Sequence, residues 1–102
     1  MRYIIYGAGG IGGGIGGRLF QHGHEVILIA RGEHLARILS NGLTVRTPDD
    51  TFTVPVPAVV HPSEIEWRED DVVLLTMKAQ DTEAALNDLR TAAGTDVAVI
   101  SA

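Results

Sequence analysis

Cysteine is absent from the chain, which excludes a disulfide framework, a thiolate metal site and a cysteine nucleophile. Basic residues are scarce. Eight Lys and Arg stand against thirteen Asp and Glu, a formal net charge of −5, and they are scattered, leaving no basic stripe for a nucleic-acid backbone. Long apolar runs are missing as well: nothing approaches the length of a membrane span, and the apolar stretch behind Met1-Arg2 is too short for a signal peptide. The expected setting is the cytoplasm, with neither a membrane nor a nucleic-acid partner. No internal repeat is found. No Ser/His/Asp arrangement or carboxylate pair of suitable spacing stands out, so no residue is assigned a catalytic role. His22, His24, His34 and His61 read as ordinary surface histidines, and no metal site is expected.

Glycine, by contrast, is plentiful, with twelve in 102 residues. The stretch Gly7-Ala8-Gly9-Gly10-Ile11-Gly12 follows the apolar run Tyr3-Ile4-Ile5-Tyr6 and reads Gly-x-Gly-x-x-Gly. In that spacing Gly7 lets the chain turn sharply out of a strand, Gly9 lets a pyrophosphate approach bare backbone, and Gly12 lets a helix pack close to a sheet. The N–H groups at the start of that helix favour an anion. The surroundings match what a dinucleotide site requires. A helix is predicted over residues 10–22, with Ile11, Ile15 and Leu19 on one face and Gly12 and Gly16 beside them, stopping at His22-Gly23-His24. A second strand, Val26-Ile27-Leu28-Ile29, is continuously apolar, as expected when helices cover both faces.

The residue after the second strand selects the cofactor. An acid there takes the ribose hydroxyl of NAD, whereas an Arg suits the extra phosphate of NADP. Here Arg31 occupies the place of the acid, and its guanidinium can form a fork with a phosphate. Glu33 lies two residues later, in the first turn of the next helix, where the dipole favours an acid in any case. With an acidic chain and an anionic ligand, placed cations carry the information, and these are Arg31 and Lys78.

After Arg31 a helix is predicted with Leu35, Ile38 and Leu39 inward and a stop at Asn41-Gly42. Leu43, Val45 and Thr47, a turn at Pro48-Asp49-Asp50, and Phe52, Val54 and Val56 read as a hairpin around residues 43–57. Pro55 and Pro57 mark its second arm as an edge. Residues 61–67 form a connection with one helical turn capped by Ser63 and with Trp67 as a lid on the core edge. Asp71 introduces the strand Val72-Val73-Leu74-Leu75-Thr76. A helix follows with Thr82, Ala85, Leu86 and Leu89 inward and Gly94 as the stop, and Val97-Ala98-Val99-Ile100 is the last strand. The class is α/β, a doubly wound parallel sheet of the Rossmann type in the order 3-2-1-4-5, forming a dinucleotide-binding domain over residues 1–102. In that order Lys78, after the fourth strand, lies across from the glycine loop.

These residues resemble the N-terminal domain of the ketopantoate reductases (2-dehydropantoate 2-reductases). The resemblance rests on residues 7–13, on His22-Gly23-His24-Glu25-Val26, on Ala30-Arg31-Gly32-Glu33-His34-Leu35 and on Leu74-Leu75-Thr76-Met77-Lys78-Ala79, and it spans the chain. It implies an enzyme that reduces a 2-keto acid, ketopantoate, to pantoate with NADPH on the route to coenzyme A. The glycine loop (Gly7, Ala8, Gly9, Gly10, Ile11, Gly12) would hold the pyrophosphate, Arg31 the adenine ribose phosphate, and Lys78 the cofactor near its nicotinamide half.

Three positions depart from the family pattern: Gly10 and Gly14 stand where larger residues are common, and Gln80 where an aromatic is common. The family's Asn-Gly step after the fifth strand, and its helical C-terminal domain with the general-acid lysine, would lie beyond Ala102. The chain is therefore expected to be a truncated cofactor domain, inactive alone, whose full-length enzyme takes a small 2-keto acid and is a candidate homodimer. The competing reading is an NAD(P)-sensing regulatory Rossmann module without catalysis, against which Arg31 and Lys78 argue. An FAD domain is disfavoured, because an acid is expected for that ribose.

Overall fold

The structure, a computed structural model, describes residues 1–7, 10–77, 79–94 and 97–101. Ala8, Gly9 and Lys78, three of the expected cofactor contacts, lie outside the described residues. The elements in chain order are β1 (Arg2–Tyr6), α1 (Gly10–Gln21), β2 (Glu25–Ile29), α2 (Gly32–Asn41), β3 (Leu43–Arg46), β4 (Thr51–Val54), β5 (Ala58–Val59), a 3-10 turn (Pro62–Glu64), β6 (Asp71–Leu75), α3 (Ala79–Ala93) and β7 (Ala98–Ser101).

A five-stranded sheet runs β5-β2-β1-β6-β7, with every pair parallel. Numbered by their order in the chain, its strands follow 3-2-1-4-5, as the alternation of strands and helices requires. β1 is central, and Ile4 and Ile5 on its two faces are fully buried. Ile5, Val26 and Leu28 pack towards Ile15 and Leu19 of α1, while Ile4, Val73 and Leu75 pack towards Leu89 of α3. Helices on both faces explain why these strands read as continuous apolar runs.

The third strand corrects the sequence reading. Ala58–Val59 occupies that place, two residues that the sequence analysis assigned to no element. The hairpin is present, but β3 and β4 form their own antiparallel sheet, apart from the parallel one. It packs on α1, where a Cβ at Gly17 would collide with Val45. Pro57 lies beyond the hairpin and gives its carbonyl to the Leu28 N–H at 2.9 Å. As a residue that can only accept, it suits the edge of the main sheet.

Helix ends follow the expected glycines. Gly23 has φ 89°, and the His24 N–H closes onto the Leu19 carbonyl at 3.0 Å, a Schellman stop. One core assignment fails: of the inward set on α2, Ile38 is buried but Leu39 is 64% exposed, because this helix packs only over the margin formed by β3 and β5. The cap of the 3-10 turn is also corrected. His61, not Ser63, is the cap, its ring accepting the Ser63 N–H while the Glu64 carboxylate accepts the His61 N–H. Trp67 is half-buried at the margin of the α3-side core, its Nε1 donating to the Pro62 carbonyl at 3.0 Å.

At the N-terminal end of the sheet, Arg2 and Asp71 sit opposite each other in the β1–β6 register and are both buried. Nε of Arg2 donates to Oδ1 of Asp71 at 2.9 Å and Nη2 to Oδ2 at 2.7 Å, with a further bond to the Glu66 carbonyl. The hydrogen bond to Asp71 raises the Arg2 pKa despite burial. This fork ties two strands together at the end away from the glycine turn. Among the described residues no buried side-chain polar atom lacks a partner, no helix is long and apolar enough to cross a membrane, and no group of metal-ligating side chains is placed to hold an ion.

Candidate cofactor site

The turn from β1 into α1 is built around Gly7, whose φ of 90° suits only glycine without strain. Its N–H extends the sheet by donating to the Ile29 carbonyl at 3.0 Å. From the neighbouring strand, Thr76 closes over the turn. Its backbone N–H donates to the Tyr6 carbonyl at 3.0 Å, and its hydroxyl lies 3.0 Å from that carbonyl and 2.5 Å from the Gly7 carbonyl, sharing one proton between them. Gly12 completes the arrangement: a Cβ there would collide with Oγ1 of Thr76 and come within 2.6 Å of the Gly7 carbonyl. Gly16 plays the equivalent part further down α1, against Leu28 and Ile5. The expected reason for Gly12, close packing of helix on sheet, thus has a specific partner that the sequence reading did not single out.

Beside this turn a cleft of about 640 Å³ opens between the carboxyl ends of the strands and α3. Its floor includes Tyr6, Gly7, Ile29 and Ala30, and Thr76 and Met77 close one side. Arg31 lines the same cleft. It leaves β2 in an extended conformation as the residue capping α2, makes no side-chain cap bond and is exposed, so its guanidinium stands at the mouth. Gly32, with φ 66°, turns the chain into α2. The structure therefore brings Gly7 and Arg31 to one opening and packs Gly12 behind it; the surroundings of Gly10 and the side chain of Ile11 are outside the described set.

Two of the histidines lie at the cleft, which the sequence reading did not state. His34 and His61, read from the sequence as ordinary surface histidines, both line the cleft, together with Asp81 and Asp88 of α3; His34 is exposed and His61 half-buried. The carboxylate of Asp88 lies 3.6 Å from Nε2 of His61. Burial first, and the negative charge of Asp88 second, push the Tyr6 phenol above its usual pKa, with Arg31 pulling the other way. His22 and His24 remain at the opposite end, where His24 meets the edge of Tyr3.

Among the described residues, an apolar floor, a glycine turn and the exposed Arg31 meet, together with Asp81 and Asp88, in a cleft at the switch point of a parallel sheet, where such folds take nucleotides. Comparison with known proteins agrees with that geometry. The family model described as ketopantoate reductase PanE/ApbA matches residues 3–102. A 2-dehydropantoate 2-reductase from Mesorhizobium japonicum is 31% identical over 102 residues, covering 99% of this chain and 31% of the relative. The crystal structure of a PanE/ApbA family ketopantoate reductase from Ralstonia eutropha JMP134 superposes with a TM-score of 0.88 at 35% identity, covering 99% of this chain and 34% of that one. A D-mandelate dehydrogenase solved with NADH and anilino(oxo)acetate gives 0.82 at 33% identity, covering 99% of this chain and 32% of that one. The chain thus spans about a third of the length of these relatives.

Proposed function

The chain belongs to the ketopantoate reductase family, a family of pyridine-nucleotide-dependent oxidoreductases, and from that premise we propose that it is the NADPH-holding part of a 2-dehydropantoate 2-reductase-like enzyme. The observation that carries the reading is the convergence on one cleft of the Thr76-braced Gly7 turn and the exposed side chain of Arg31, which makes no cap bond to α2. The residues fit the cofactor: glycine where backbone must be approached, and a cation where an adenosine phosphate would emerge.

When bound, NADPH would supply a hydride to the keto carbon of a 2-keto acid, whose oxygen takes a proton, giving the 2-hydroxy acid and NADP; for ketopantoate the product is pantoate, on the route to coenzyme A. Residues of this chain bind and orient. Gly7, whose N–H is held by the Ile29 carbonyl, would supply the turn of the loop that holds the pyrophosphate; by motif and resemblance Ala8, Gly9, Gly10, Ile11 and Gly12 would offer it backbone N–H groups, Arg31 would grip the 2′-phosphate, and Lys78 would serve the nicotinamide side. No residue here is assigned the proton transfer. We infer a cytoplasmic setting, a small 2-keto acid as substrate, and a homodimer as the assembly to test.

A second reading keeps the family and changes the cofactor. The D-mandelate dehydrogenase was solved with NADH, and the cleft of this chain carries two carboxylates, Asp81 and Asp88, of the kind that accept ribose hydroxyls. Side-by-side calorimetric titration with NADPH and NADH at low salt decides between them. Tighter NADPH binding is the expected result. Preference for NADH would move this chain to the second reading.

A further inference from the structure

We propose that Asp88 and His61 read the base of the bound dinucleotide and select adenine over hypoxanthine. This assignment rests on the cofactor reading above. Ile29, Ala30, Val60, Met77, Ala84 and Ala85 all line the cleft, a small-sided apolar surface suited to the faces of a flat base. Asp88 and His61 are among the polar side chains that line the cleft.

Their hydrogen-bonding roles follow from the cap of the 3-10 turn. The Ser63 backbone N–H, which can only donate, lies 3.1 Å from Nδ1 of His61, so Nδ1 accepts and the neutral ring carries its proton on Nε2. Nε2 is 3.6 Å from Oδ2 of Asp88, too far for the two to satisfy each other directly. The cleft wall therefore offers a donor and an acceptor side by side. Adenine presents the complementary pair: its 6-amino group donates, and the adjacent ring nitrogen accepts. Hypoxanthine carries a carbonyl at position 6, which would face the Asp88 carboxylate acceptor to acceptor. Both side chains are half-exposed, so the analogue incurs the modest cost of a mispaired base edge and not that of a buried unpaired group.

The experiment compares dissociation constants of NADPH and of its hypoxanthine analogue, reduced nicotinamide hypoxanthine dinucleotide phosphate, on the intact protein containing this chain. A base-edge pair of this kind discriminates by about fivefold or more, so NADPH should bind tighter by at least that ratio. Asp88→Ala should bring the ratio close to one. Asp88 is half-exposed on α3 and alanine is a good helix former, so the variant should fold; Asp88→Asn, which adds a donor while keeping an oxygen, should narrow the ratio by tightening the analogue. Equal binding of the two nucleotides by the unaltered protein would overturn the proposal, as would a ratio untouched by Asp88→Ala. Those results leave the cofactor reading standing, whereas failure of NADPH itself to bind would overturn both.

Discussion

Gly12 and Thr76 are matched across the first turn of the fold: the missing side chain of one is the space filled by the hydroxyl of the other. The Thr76 hydroxyl needs that space because it holds the Gly7 carbonyl. A local motif on β1 and α1 is thus fixed by a residue just past the end of β6, far away in sequence. Gly12→Ala should destabilise the chain by about 1–3 kcal/mol, the usual cost of overpacking. Adding Thr76→Ala should recover only part, since the Gly7 carbonyl would still stand within 2.6 Å of the new Cβ. Urea midpoints report both, and an unchanged midpoint for Gly12→Ala would contradict the packing described.

Gly14 lies on the same helix but has nothing within 4 Å of an added Cβ, and its φ is not in the left-handed region. A glycine here costs backbone entropy with no packing return among the described residues. Gly14→Ala is expected to stabilise the chain by about 0.5–1 kcal/mol. The same denaturation experiment distinguishes the two glycines, and a loss of stability at Gly14 would mean that the helix surface is covered there.

Arg31 is the residue on which cofactor preference turns. Arg31→Ala should weaken NADPH by roughly tenfold to a hundredfold, the range for loss of a charge-assisted hydrogen bond, and should leave NADH nearly unchanged. Equal losses for both would remove the guanidinium from the 2′-phosphate. Arg31 makes no cap bond, so folding should not confuse the result.

The Arg2–Asp71 fork predicts a purely structural effect. Arg2→Met leaves the Asp71 carboxylate buried with only the Arg68 backbone N–H of its three described donors, a loss of about 3–5 kcal/mol, whereas the double change Arg2→Met with Asp71→Leu should cost much less. A single variant as stable as the parent would show that water reaches the carboxylate. Nucleotide affinity of the folded fraction should not change, because the fork lies at the opposite end of the strands from Gly7.

What could be read in advance follows physical lines. Strand order was legible because alternating strands and helices with right-handed crossovers leave one economical sheet, and the turn at Gly7 and the close packing at Gly12 were legible because each answers a backbone demand. Ala58–Val59 escaped because two residues between Pro57 and His61 have no periodicity; only pairing with Leu28 and Ile29 makes them a strand. The cap at His61 escaped because a ring nitrogen outside the usual Ser, Thr, Asp and Asn set does the accepting. Leu39 was misassigned because spacing identifies a face but not how much of that face a margin position covers. The pairing of Arg2 with Asp71, like that of Thr76 with Gly12, depends on strand register, which no local pattern states. Ala8, Gly9 and Lys78 remain assignments from motif and resemblance.

Tyr6 offers a titration that tests the floor of the cleft. Its phenol is raised above the usual value by burial and then by Asp88, against Arg31. For a group whose folded pKa lies above its unfolded one, the stabilisation is fully present below the unfolded value, near pH 10, and is lost as pH rises through the folded value. Stability should therefore fall on the alkaline side of pH 10, and Tyr6→Phe should abolish that part of the fall. The difference in phenolate absorbance between parent and variant isolates the Tyr6 component, which should appear at higher pH than in the unfolded chain. Asp88→Ala should move it back down, because the carboxylate opposes the phenolate, and Arg31→Ala should move it further up, because the guanidinium favours it. A Tyr6 component unmoved by either change would separate the phenol from both charges and open the floor of the cleft to solvent.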